Sequence, residues 1–390
     1  MKILVISVRI PEEGKKGDQI LSFHRISYLS RKHTIKLICF GSSVVNNVAQ
    51  KKLEALGIAV HFIHLNKFAA IVNLLTGIFN PRLPFQCALF QSNSFKRAVS
   101  HELGIFKPDA LYAVMIRALV NIPSSGLPLF VDMVDSMGLN FSRRVALERG
   151  LKRVAYDMEY KRVSAYEVNV AHHATLSYVV SKVDQKFIGH ENVKALPLGI
   201  NELEFFRQPD GSSRPTIVFS GNMNYKPNVD AAIWFYGQCW AKLKLAVPNV
   251  HWVIAGSNPT TDVFSLGADE AITVTGRVPS LAEVINSARV SIAPMQSGSG
   301  MQFKILEAMA CGVPVVTTSL GLGDIAAKPE QEVIVADSAD AFVQSIINLL
   351  SSLELRQRIG EAGLSYVKAH HTWDALNAEF ERCTIATLQQ

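Results

Sequence analysis

At 390 residues the chain is longer than one hydrophobic core usually serves, so two domains are expected. A hydrophobic share of 48% with 18% charged residues excludes a disordered or low-complexity protein, and no apolar run approaches the ~20 residues that span a bilayer. A net charge of +6 without a tract of consecutive basic residues favours an anionic small molecule or surface over nucleic acid.

The opening "MKILVISV" is too short for a secretory leader, lacks a small-residue cleavage site, and reads as a first buried strand. Further apolar runs follow in chain order: "HTIKLICF", "AVHFIHL", "DALYAVM", "LPLFVDMV" and "ATLSYVVS", then "PTIVFSG", "VHWVIAG", "AITVTG", "VSIAPM", "VPVVTT" and "EVIVAD". Helical stretches such as "NVDAAIWFYGQCWAKLKL", "KILEAMA" and "ADAFVQSIINLLSS" separate them. Continuous apolar strands alternating with helices are the pattern of a parallel sheet covered on both faces. The pattern occurs twice, so the fold class is α/β with two doubly wound, Rossmann-like domains. The expected division is 1–205, a linker at 206–215 containing Pro209, Gly211, Ser212, Ser213 and Pro215, and 216–370. A closing helix over 371–390 is placed to cross back to the first domain. Cys39, Cys87, Cys239, Cys311 and Cys383 are scattered and never form a C-x-x-C pair, which fits neither a disulfide framework nor a zinc site and suits a reducing cytosol.

In sheets of this kind ligands bind at the carboxyl ends of the strands, so the strand-end turns carry the chemistry. After the first strand, Gly14 and Gly17 precede a helix beginning near Asp18, and a turn of that type can bring backbone amides against a phosphate. "FSGNMNYKPN" places Gly221 and Asn222 at a strand end, Lys226 in the loop and Pro227 in a first helical turn. "VTGRVPS" offers Arg277 and Val278 beside a base-sized ligand. The richest stretch is "SIAPMQSGSGMQFKILEAMACGVPVVTT". There Gly298, Ser299 and Gly300 allow a tight turn, and the amides of Met301 and Gln302 face outward at a helix N-terminus, which attracts an anion. Lys304 lies one turn on. Glu307 follows three residues later, either as an acceptor for a ribose diol or as the partner of Lys304 in a surface ion pair. Spacing alone leaves both readings open.

From "GRVPSLAEV" through "LEAMACGVPVV", with support from "VFSGNMNYKPNVDAAIWF", "VHWVIAGSNP" and "RIPEEGKKGDQILSFHR", the sequence resembles retaining glycosyltransferases of family four, the glycosyl transferases group 1, with the GT-B fold. The forms "KGDQILSFHR" and "GNMNYKPNVDA" resemble the branch that assembles exopolysaccharides and surface glycans. The resemblance implies two domains facing across a cleft, a nucleotide diphosphate sugar as co-substrate on the second, and a glycan or lipid-linked acceptor on the first. It also implies that no metal or other cofactor is needed. Carried over, Glu307 holds the ribose; Ser299, Gly300, Met301 and Gln302 line sugar and diphosphate; Arg277 and Val278 flank the base; Gly17 abuts the phosphates from the other domain. The family commonly carries two glutamates with seven residues between them, the second matching Glu307 and the first falling at position 299, and an arginine after the first strand of the second domain. This chain has Ser299 in place of that first glutamate and Asn222 in place of the arginine, leaving Lys226 and Lys304 as phosphate-facing cations.

Asp132 and Asp135 in "VDMVDS" are assigned to the acceptor side or a proton relay, with helix capping as the alternative. "KFAAIVNLLTGIFNPRLPF", "SFKRAVS" and "SRRVALERGLKRVAYDMEYKR" raise peripheral contact with an anionic membrane, against ordinary helix packing. Two further readings fit the same residues: another GT-B enzyme, such as an epimerase or an inverting transferase, and a non-catalytic sugar-nucleotide-binding subunit.

Overall fold

The computed structural model describes residues 1–13, 17–77, 80–208, 214–297 and 301–388. The chain divides into two compact units, Met1–Leu198 with Leu376–Gln390, and Gly199–Ala375. The division thus falls at Leu198/Gly199, ahead of the 206–215 segment expected from composition, whose residues 209–213 lie outside the described residues.

Unit 1 is built on a seven-stranded parallel sheet of β1 (Lys2–Ser7), β2 (Thr34–Phe40), β3 (Ala59–Ile63), β4 (Ala110–Val114), β5 (Leu129–Val134), β6 (Leu176–Val179) and β7 (Val193–Ala195). Their order is β3-β2-β1-β4-β5-β6-β7, so the winding reverses between β1 and β4, where Ile3 pairs with Ile35 on one side and Ala110 on the other. β1 and β4 are buried nearly throughout because helices cover both faces, which is why they read as unbroken apolar runs. β7 was not expected. "VKA" offers no apolar run, and it forms by adding to the sheet edge at β6.

Unit 2 repeats the plan with β8 (Thr216–Ser220), β9 (His251–Ala255), β10 (Ile272–Gly276), β11 (Val290–Ala293), β12 (Val315–Thr317) and β13 (Ile334–Val335), in the order β10-β9-β8-β11-β12-β13. Its switch point lies between β8 and β11. The core beneath it is aromatic: Phe235, Trp252, Phe342 and Trp240 form a chain of edge and tilted contacts 4.8–6.0 Å apart. All five cysteines are buried and free.

The helix Trp373–Leu388 ends the chain, and from Leu376 onward it belongs to unit 1. Phe380 inserts beside Tyr178 and Tyr112, at 4.6 and 5.5 Å, with the Arg25 guanidinium 4.2 Å from its ring. Asn377 donates to the His24 carbonyl, and Glu381 accepts from Lys32. The tail therefore completes the core of the first unit.

Candidate active site

The helix Phe303–Ala310 positions the central residues of unit 2. It starts at Gln302, whose side chain does not cap it, and ends in a hydrogen-bonded reversal. Gly312 adopts φ +68° and donates to Met309, while Val313 donates to Ala308. Pro314 then leads into β12. The "LEAMACGVPVV" run is thus a helix, its left-handed stop and the next strand. Glu307 and Lys304, three residues apart, share the helix face turned toward the strand ends.

Around them lies a pocket of about 440 Å³ lined by Gly221 and Asn222 after β8, Gly256 and Ser257 after β9, Arg277 and Val278 after β10, and Met301 to Lys304 with Glu307. This size suits a small organic ligand. Two glycines make it possible. A Cβ on Gly256, at φ +144°, would lie 1.7 Å from the Gly221 carbonyl oxygen, and one on Gly221 would lie 2.7 Å from the Asn228 amide nitrogen. The loops after β8 and β9 therefore pack backbone to backbone, leaving the strand ends open.

Lys304 is buried, which sequence spacing did not reveal. Its ammonium donates to Asn228 Oδ1 at 3.0 Å and to Gln302 Oε1 at 2.8 Å. Burial lowers its pKa to about 8, partly opposed by the charge of Glu307. Burial raises the Glu307 carboxyl to about 7, with Lys304 pulling the other way and Glu204 adding to the rise. Among the described residues Glu307 has no hydrogen-bond partner and forms no ion pair with Lys304, so the surface-pair alternative fails. The pocket thus presents an unengaged carboxylate and a desolvated ammonium, held apart by neutral amides.

Of the residues expected here, Gly221, Asn222, Arg277, Val278, Met301, Gln302, Lys304 and Glu307 all line the pocket. Gly298, Ser299 and Gly300 lie outside the described residues, as does Gly14. Gly17 opens the first helix of unit 1, where a Cβ would meet nothing within 4 Å. Lys226 is not brought to the pocket: as the exposed first residue of its helix, it pairs with Asp230 one turn on. Asn228 is the important omission. Its amide bridges Lys304 and the Asn222 carbonyl, the latter at 3.0 Å, and its signal in sequence was only a polar residue beside Lys226.

In unit 1, Asp132 is not a cleft-facing acid. It is buried within β5, bonded to Arg25 at 2.6 Å and to the Tyr112 hydroxyl at 3.1 Å. Its position faces the core side of a central strand, and a carboxylate there persists only because Arg25 neutralises it. Asp135 lies just beyond the strand, with part of its surface in solvent and the rest shielded by neighbouring residues. Loss of surrounding water and then the carboxylates of Asp184, Asp132 and Asp18 raise its pKa above the ordinary range. The turn that presents it is strained: Val134 has φ +67°, and Met115, at the end of neighbouring β4, has φ +68°.

Residues 214–352 match the family model described as glycosyl transferases group 1. The matched residues lie within unit 2. The whole chain has the GT-B fold. It aligns with Anabaena HepE in complex with UDP over 99% of this chain and 100% of that one, with TM-score 0.64 and 13% identity. It also aligns with TarM of S. aureus over 98% of both chains, with TM-score 0.65 and 10% identity. Among curated sequences it is 20% identical over 385 residues to an uncharacterized 44.6 kDa protein in the cps region of Klebsiella pneumoniae, covering 95% of this chain and 96% of that protein.

Proposed function

We propose that the unit 2 pocket takes a nucleoside diphosphate sugar and that the chain transfers its sugar, with retention of anomeric configuration, to a glycan or lipid-linked acceptor in surface-polysaccharide assembly. The observation that carries the reading is the Glu307 carboxylate, unpartnered among the described residues, beside the buried Lys304 near a helix start that the Gln302 side chain does not cap, in a pocket of nucleotide size. Glu307 accepts from the ribose diol. Lys304 and the backbone amides that open the helix face the diphosphate, and Arg277 with Val278 flank the base. HepE structures with UDP and with UDP-glucose, and the cps-region relative, support a uridine donor and a polysaccharide acceptor.

As the glycosidic bond breaks, negative charge gathers on the departing diphosphate. A preorganised ammonium and helix amides stabilise it without reorganising at the moment of reaction. That assignment gives the divalent-ion role to Lys304. The acceptor hydroxyl then attacks from the leaving-group face, where the diphosphate itself takes up the proton, and Asp135 is assigned to hold the acceptor. Incubation with UDP-glucose and other nucleotide sugars, with and without EDTA, tests the reading. Nucleotide release that needs an acceptor, survives EDTA and yields retained configuration is expected. Binding without transfer across an acceptor panel would instead make the chain a non-catalytic subunit.

A further inference from the structure

We infer that unit 2 carries a second small-molecule site, at the amino ends of β11 and β12, and that it takes a phosphate-bearing ligand. A cavity of about 300 Å³ lies there, bordered by Arg207, Arg289 and Arg356. Arg289 immediately precedes β11, and Pro314, on the same wall, precedes β12. The Glu307 pocket is built instead from the turns after β8, β9 and β10, so the two sites open at opposite ends of one sheet. The size is at the small end of ligand pockets and leaves room for a phosphorylated monosaccharide.

The walls of this cavity are fixed by the fold. A Cβ on Gly360 would lie 2.2 Å from the Gly312 carbonyl oxygen, so the helix Leu353–His370 packs backbone to backbone on the stop of the helix Phe303–Ala310. A Cβ on Gly312 would in turn lie 3.1 Å from Arg207 Cδ, so the stem of Arg207 is laid over that stop. Asn286 braces the opposite wall: its Oδ1 accepts from the Gln208 amide at 3.0 Å, and its Nδ2 donates to the Phe206 carbonyl at 3.0 Å. Arg356 Nη1 donates to the Leu349 and Leu350 carbonyls at 2.9 and 3.0 Å, and the Arg289 amide donates to the Thr216 carbonyl at 2.9 Å.

Charge identifies the class of ligand. Three guanidinium groups border one small cavity, and among the described residues that line it there is no carboxylate. Glu361 meets Arg207 at 3.2 Å from outside the cavity, with most of its own side chain in solvent, and such a pair neutralises little. Like charges gathered in this way repel one another, and a bound anion relieves the cost. Arginine forks match phosphate oxygens two at a time. A phosphate monoester, with close to two negative charges at neutral pH, balances the cluster better than a single carboxylate does. Arg356 and Gln357 stand in the first turn of the helix Leu353–His370, whose dipole adds positive potential, and the Gln357 amide can meet sugar hydroxyls. The inference stands on this cavity and does not depend on the donor-site reading.

The test is calorimetric titration of the full chain with glucose 6-phosphate, inorganic phosphate and glucose. Saturable binding of the two phosphate-bearing probes, and none of glucose, is expected. Tighter binding of glucose 6-phosphate assigns the cavity to a sugar phosphate, and equal binding assigns it to phosphate itself. Arg207→Gln and, separately, Arg289→Gln should each weaken the binding by roughly 10–150-fold. The Arg207 side chain is 44% exposed, so the melting temperature of Arg207→Gln should stay near that of wild type and certify folding. Lys304→Met, in the other pocket, should bind the phosphate-bearing probes as wild type does. No saturable binding below about 10 mM, unchanged binding in folded Arg207→Gln, or binding lost in Lys304→Met overturns the proposal.

Discussion

Replacing Lys304 by Met removes the buried ammonium while keeping a side chain of similar length. The wild-type ammonium donates to Asn228 and Gln302, and burial lowers its pKa to about 8. A charge-assisted contact to a desolvated diphosphate contributes about 1.5–3 kcal/mol, so Lys304→Met should weaken UDP-glucose binding by roughly 10–150-fold. The same pKa fixes a pH dependence. Both phosphates of UDP-glucose are esterified and keep their charge, so wild-type affinity should fall about tenfold per unit above pH 8 as Lys304 deprotonates. Below about pH 7, protonation of Glu307 removes the ribose acceptor, and affinity should fall again. Calorimetric titration from acid to alkaline pH should therefore give a narrow optimum between the two values. Lys304→Met should lose the alkaline limb alone, and Glu307→Gln the acid limb alone. A flat wild-type profile, or an alkaline limb that survives in Lys304→Met, would refute the assignment.

Gly256→Ala places a methyl 1.7 Å from the Gly221 carbonyl, so the β8 and β9 loops must separate. Urea denaturation should show a loss of about 1–3 kcal/mol, accompanied by weaker nucleotide binding. Asp132→Ala leaves Arg25 buried and unpaired and should cost about 3–5 kcal/mol of stability. Asp135→Asn should leave stability and donor binding nearly unchanged while lowering transfer, as measured by acceptor-dependent nucleotide release. Phe380→Ala opens a cavity beside Tyr112 and Tyr178 and should destabilise the protein by about 3–5 kcal/mol in the same denaturation assay. Stability itself should respond to pH through Glu307. Its carboxyl is raised from 4.5 to about 7, so the folded state holds its proton more tightly, and stability falls by up to about 3 kcal/mol as pH rises through that window.

The fold was readable because parallel strands buried on both faces must be apolar along their whole length. β1, β4 and β8 announce themselves in that way. β7 does not, because an edge strand of three residues with Lys194 at its centre needs only one neighbour. The unit 2 pocket was legible where backbone geometry dictates residue type, as at Gly221. Side-chain partnerships across the sheet were not. Asp132 finds Arg25 across 107 positions, and Asn228 finds Lys304 across 76. No local pattern distinguishes such residues from strand-end acids or surface amides. Lys226 shows the converse. A lysine beside a glycine turn looks available to phosphate, yet an aspartate one helical turn later holds it in solvent.

The most direct measurement is a double-mutant cycle between Glu307 and the ribose hydroxyls, titrating UDP-glucose and its 2′,3′-dideoxyribose analogue into wild-type protein and Glu307→Ala. If Glu307 holds the ribose, wild type should bind the analogue about 10–150-fold more weakly than UDP-glucose, and folded Glu307→Ala should bind both with nearly equal, weakened affinity. Equal losses on removing the hydroxyls in both proteins would contradict the account, because the ribose would then be held elsewhere.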